Sequence, residues 1–212
     1  MIKRAGIIAA AFLLLATACS DDNVIRDCFS CKCNPAYCPP KFEELTKRSN
    51  VLNNFAVAHN KRDIGHYDAL LDDNFTFFYD EPRAPGPPLT VQVDRATDVA
   101  TTTAFLAGTD RMEFELDIGG LTWAAFPAPG GTENWYSTTV FYHFTIKIGN
   151  TTYIPNVGAS AQFTVRNAGT SKAPKWQLVE LRDLGGPTAF SAAVTAATEP
   201  TTYGLIKAKF RS

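Results

Sequence analysis

An α+β fold is predicted for residues 41–186, and three observations predict it. Apolar side chains recur at helical spacing through the first part of this segment. Apolar and polar side chains alternate through the second part, in long runs separated by turn residues. Hydrophobic residues make up 45% of the 212-residue chain, enough for one core of ordinary domain size. Charged residues account for only 19%, below the roughly 25% of an average globular protein. This balance excludes a wholly disordered chain and a helix-rich coiled coil. The formal net charge is −1 with no basic cluster, so nucleic acid is not expected as a partner.

Residues 1–18 read as a leader. Lys3 and Arg4 form a short positive start, and the run from Ala5 through Ala18 is apolar apart from Thr17. The run falls short of the roughly 20 residues that span a bilayer, so a signal peptide is expected rather than an anchor helix. Leu15-Ala16-Thr17-Ala18-Cys19 resembles the lipobox of bacterial lipoproteins, with Ala16 where Leu is usual. The resemblance implies a lipid on Cys19 as the membrane contact, and Ser20 after it implies the outer membrane. The alternative is an ordinary cleaved signal whose cysteine enters a disulfide.

Residues 19–40 read as a tether. Cys28, Cys31, Cys33 and Cys38 make up the rest of the chain's five cysteines. In an oxidising compartment the four predict two disulfides of open connectivity, although a Cys31–Cys33 pair would be strained. A four-thiolate metal site is the alternative, but the C-x-C step is crowded and the two knuckles of a metal site are not separated. Neither a metal nor a cofactor is expected.

Helices come next. Phe42, Leu45, Leu52, Phe55, Ala56 and Ala58 predict a first helix across residues 41–63. Ile64, Tyr67, Leu70 and Leu71 predict a second, with Asp63 as its N-cap. A third is predicted from Asp94, as cap, to Gly108, after a proline-rich loop at residues 82–88. Strands are predicted at Asn74–Asp80, Met112–Trp123, Trp135–Ile148, Tyr153–Arg166 and Trp176–Leu184. Residues 187–212 form a tail rich in Ala and Thr, in which Leu205, Ile206 and Phe210 could dock on the sheet or on a partner.

The segment "VLNNFAVAHNKRDIGHYDALLDDNFTFFYD", with "WQLVELRDL" near the end, resembles the NTF2-like superfamily, in particular its exported bacterial lipoprotein members. The matching positions are Val51, Leu52, Asn54, Ala58, Asn60, Arg62, Asp63, Tyr67, Leu70, Leu71, Asp72, Phe75, Trp176 and Asp183. His59, Asn74 and Leu181 depart from the pattern, standing for an aromatic residue, an acid and a Trp. The resemblance covers residues 41–186. It implies a cone, with two to three N-terminal helices packed on a curved antiparallel sheet, and sheets that commonly pair face to face as a homodimer.

Enzymes of that superfamily act inside the cone, so a catalytic reading needs an inward titratable group. Glu180 and His143 are the candidates. Glu180 shares strand parity with Trp176 and Leu178, whereas His143 lies on the less apolar face of its strand. His59 and His66 are expected to be solvated, and Glu113, Glu115 and Asp117 to form an exposed acidic row. Tyr67, Phe75, Phe77, Tyr79 and Trp176 are the candidate pocket lining. No phosphate-binding, zinc-protease or nucleophile-elbow motif is present. The expected protein is a membrane-anchored lipoprotein whose non-catalytic domain binds a small apolar ligand or a protein partner at the cell envelope. The alternative is an isomerase or dehydratase with a cone acid or histidine as base.

Overall fold

Asp63 and Asp94 each begin a helix, as their position before an apolar-periodic run predicts. In the computed structural model Asp63 accepts from the His66 amide at 3.0 Å and Asp94 from the Thr97 amide at 2.8 Å. The structure describes residues 41–82, 86–128, 130–131, 134–155, 158–185 and 198–211. The leader, Cys19, the four tether cysteines and residues 186–197 lie outside the described residues.

Three helices precede or interrupt the first strands: α1 (Arg48–Lys61), α2 (Ile64–Leu70) and α3 (Arg95–Gly108). The strands are β1 (Leu71–Glu81), β2 (Leu89–Asp94), β3 (Arg111–Leu116), β4 (Ala124–Pro127), β5 (Asn134–Ile148), β6 (Thr151–Pro155), β7 (Ser160–Asn167), β8 (Trp176–Gly185) and β9 (Thr198–Thr201). A short helix, α4 (Tyr203–Ala208), closes the described chain. Their sheet order is β2-β1-β8-β7-β5-β6-β9, with β3 and β4 also paired to β5. Most pairs are antiparallel, but β1 runs parallel to β8 and β6 parallel to β9. A parallel pair needs a long connection between its strands, and nearly the whole domain separates β1 from β8.

The 15-residue β5 is the spine. Its first half pairs with β4 and β7, and its second half with β3 and β6. Val140, Tyr142, Phe144 and Ile146 are buried, while Phe141, His143 and Lys147 face outward, as the period-2 pattern predicts. Helices α1 and α3 cover the concave face, with α1 over β3 and α3 over β1. Phe55 of α1 is central, meeting Phe163 edge-on with ring centroids 5.3 Å apart.

Several boundaries differ from the sequence expectation. The first helix begins at Arg48, because residues 41–44 are held in irregular chain by side chains of Asn50, Asn53 and Asn54 in α1. Asn54 accepts from the Glu43 amide at 2.8 Å and donates to the Glu43 carbonyl at 2.7 Å. Those two bonds satisfy backbone groups that a helical turn would otherwise claim. The predicted proline-rich loop is followed directly by β2, which pairs with β1 from Glu81↔Leu89 to Thr76↔Asp94. Two predicted strands are broken: Met112–Trp123 ends at Leu116, and Tyr153–Arg166 divides into β6 and β7. Among the described residues no helix is long and apolar enough to cross a membrane.

Candidate functional site

The interior of the cone is where a ligand or substrate would be expected, and α4 occupies it. Tyr203 and Ile206 are fully buried, and Lys207 is only 2% exposed. Thr202 caps the helix by accepting from the Leu205 amide at 3.2 Å. Gly204 passes so close to β1 that an added Cβ would stand 2.4 Å from the Tyr79 Cβ. Beside the helix, Phe77, Tyr79, Val93, Asp98, Thr101 and Lys207 border a void of about 10 Å³, room for about one water.

Three polar contacts lock the helix in place. Lys207 Nζ donates to Asp98 Oδ1 at 2.6 Å, and Tyr67 donates its hydroxyl to Asp98 Oδ2 at 2.6 Å. The ammonium also stands 4.7 Å from the Phe77 ring centroid and 5.1 Å from that of Tyr203. Asp183 accepts from the Gly204 amide at 2.6 Å, from Tyr142 Oη at 2.9 Å and from the Gly185 amide at 3.0 Å. The third contact joins Tyr203 to His59. His59 Nδ1 lies 2.8 Å from the Phe55 carbonyl, which can only accept, so Nδ1 carries the proton and Nε2 accepts from the Tyr203 hydroxyl at 2.7 Å.

Burial dominates the ionisation of this cluster. It pushes His59 down to about 3, against a weaker upward pull from the Phe55 carbonyl, and the Lys207 charge lowers it further. Burial lowers Lys207 while Asp98 pulls it back up. Tyr67 and Tyr203 are raised well above 10, first by burial and then by the Asp98 charge. Tyr142 is raised by burial and by Asp183. At neutral pH the histidine and tyrosines are therefore neutral hydrogen-bonding groups, each committed to a neighbour.

Neither candidate base reaches this interior. His143 stands exposed on β5, opposite Glu115 of β3. Glu180 also faces outward, contrary to its predicted parity with Trp176 and Leu178. Thr164 pairs with Glu180 and Val165 with Leu178, so Val179 is a bulge residue without a cross-strand partner. The extra residue inverts the side-chain alternation: Leu178 and Val179 are both buried, Leu181 and Asp183 point in, and Glu180 points out. Its Oε1 lies 3.7 Å from Arg182 Nε. Asp183 is thus the inward acid of β8.

Of the expected pocket lining, Tyr67, Phe75, Phe77 and Tyr79 are buried core, and Tyr67 and Phe77 touch the Lys207 ammonium. Trp176 is not among them. It is half-buried near the start of α1, edge-on to Tyr136 with centroids 5.7 Å apart. His59 is fully buried rather than solvated, whereas His66 is exposed and bonded to Asp63 at 2.7 Å. The acidic row on β3 is exposed as expected, with Glu113 paired to Arg111 at 2.5 Å. Among the described residues no group of three His, Cys, Asp or Glu side chains could hold a metal ion.

The helices at the N-terminus, the curved and mostly antiparallel sheet, and the enclosed interior together match the expected cone. The fold is α+β, with helices packed on a curved and mostly antiparallel sheet. No family model and no curated protein sequence matches the chain. Among solved structures, the chain is similar to an NTF2-like protein of unknown function from Pseudomonas putida KT2440. That pair shares 17% identity over 63% of this chain and 80% of the other, with a TM-score of 0.43. A candidate dehydratase of the NTF2-like family from Streptomyces avermitilis shares 14% identity over 65% of this chain and 92% of the other, at a TM-score of 0.43. A Mycobacterium tuberculosis protein of unknown function shares 11% over 70% and 75%, at 0.45. Similarities this remote carry no activity across to this chain.

Proposed function

We propose that this chain is a lipid-anchored, non-catalytic NTF2-like module of a bacterial cell envelope that meets its partner with its outer surface. One observation carries the non-catalytic part: the C-terminal helix fills the cone, and the interior titratable groups are spent on holding it. Among the described residues, a small apolar ligand in the cone, one of the two sequence-based expectations, meets only the void of about 10 Å³ beside Lys207. The isomerase or dehydratase alternative loses both of its expected bases, since Glu180 and His143 stand on the outside, and the inward acids Asp98 and Asp183 are bonded to α4. Anchoring rests on the lipobox resemblance at Cys19. Self-pairing through the sheet face would use Phe141 and Leu184, which are 55% and 50% exposed.

The filled cone is tested by NMR on the full chain in detergent, titrated with apolar fluorophores and aliphatic acids. The resonances of Tyr203, Lys207 and His59 are expected to stay put. An apolar compound that binds stoichiometrically and shifts all three overturns the reading. Incorporation of labelled fatty acid in a bacterial host, lost in Cys19→Ala, tests the anchor. Labelling that survives the substitution refutes it.

A further inference from the structure

Away from the cone, a second concave site lies where the turn before α1 meets the β3–β4 connection and the start of β8. It is an open groove of about 350 Å³ lined by Thr46, Lys47, Arg48, Ser49, Trp123 and Trp176, within the range of small-ligand sites, roughly 300–1,000 Å³. The Arg48 guanidinium stands at its base among three aromatic rings. Its Cζ is 4.2 Å from the Tyr136 centroid, 5.4 Å from Trp123 and 5.5 Å from Trp176. Stacking on Tyr136 holds the planar fork in one orientation and leaves its in-plane N–H donors available. Among the described residues no carboxylate pairs with Arg48 or Lys47, although the chain as a whole is slightly acidic.

Each element of the groove answers to one part of an acidic sugar. An indole face offers a flat apolar platform for the C–H face of a pyranose ring. Thr46 and Ser49 supply short hydroxyls that both donate and accept, matching ring hydroxyls. Arg48 and Lys47 supply two cations, of which the guanidinium can grip a carboxylate with two parallel hydrogen bonds. We infer that this groove binds a carboxylate-bearing saccharide, with the ring on Trp123 and Trp176 and the carboxylate on Arg48 and Lys47. This deepens the outer-surface reading by naming the ligand class, and it requires nothing of the cone.

The experiment titrates the full chain in detergent with a hexuronic-acid tetrasaccharide and with its neutral methyl ester. Two of the chain's three tryptophans line the groove, so intrinsic fluorescence reports binding. The acid is expected to bind about tenfold more tightly than the ester, as a charge-assisted pair predicts, and the difference is expected to shrink with added salt. Arg48→Gln should cut the preference for the acid, Lys47→Gln/Arg48→Gln should bring acid and ester to equal affinity, and Trp123→Ala should weaken both. Circular dichroism confirms that each variant is folded. Equal binding of acid and ester by the native chain, no binding of either, or an Arg48→Gln variant whose preference for the acid is undiminished overturns the inference. So does a fluorescence response to a nucleotide but to neither sugar. Any of these leaves the filled cone standing, because that reading is judged at Tyr203, Lys207 and His59.

Discussion

Replacing Lys207 with methionine keeps the length of the side chain and removes the charge that neutralises Asp98. Both groups are buried, and their charged atoms are 2.6 Å apart. Coulomb's law with an effective dielectric constant of about 20 gives an attraction of about 6 kcal/mol at that distance. Desolvation costs several kcal/mol per ion, so the pair as a whole contributes little net stability. Loss of one partner is different, because the buried Asp98 carboxyl would be left with only the Tyr67 hydroxyl and no compensating charge. Lys207→Met is therefore expected to destabilise the native state by about 3–5 kcal/mol. In the double variant Lys207→Met/Asp98→Asn no charge is left behind, and the new amide oxygen can still accept from Tyr67. That variant should recover to within about 1–2 kcal/mol of native. Urea unfolding followed by tryptophan fluorescence measures all of these, with free energies from linear extrapolation. A Lys207→Met cost below about 1 kcal/mol, or a double variant no better than the single, would refute the docked and desolvated helix.

His59 makes stability fall in acid. Its folded value of about 3 lies below the unfolded 6.5, so between these pH values the unfolded chain binds more protons and stability drops as pH falls. The loss from pH 7 to pH 5 should be about 2 kcal/mol, and it should disappear in His59→Gln; a native chain equally stable at both pH values contradicts this assignment. Gly204→Ala tests the close approach of α4 to Tyr79. In an ordinary helix the change would stabilise by about 1 kcal/mol, but here the new methyl would meet Tyr79 and Asp183, so a loss of about 1–3 kcal/mol is expected. A gain in thermal midpoint would show that the helix stands farther from β1.

The caps at Asp63 and Asp94, the alternation of β5 and the three N-terminal helices were legible because each depends on neighbours within one turn or one strand. The parity of Glu180 was not, since nothing in "WQLVELRDL" marks Val179 as the bulge; the register against β7 decides it. His59 is similar. Near the end of its helix it was expected in solvent, and its burial depends on Tyr203, 144 residues away. The tail gave a weak signal in Leu205, Ile206 and Phe210. Its strongest contacts instead run through Gly204, Tyr203 and Lys207, whose residue types suggest solvent or turn as readily as a core.

By itself the sequence determined the fold class, the order of the helices, the outward placement of His143 and the expectation of an exported, lipid-anchored protein. These follow from local periodicity, capping and short motifs. Tertiary structure alone decided that the cone is filled by its own C-terminal helix, that Asp183 rather than Glu180 faces inward, and that Arg48 meets three aromatic rings from separate parts of the chain. Each of these is a meeting of residues far apart in sequence. Such meetings are set by strand register and by the burial of paired charges, neither of which leaves a periodic trace along the chain.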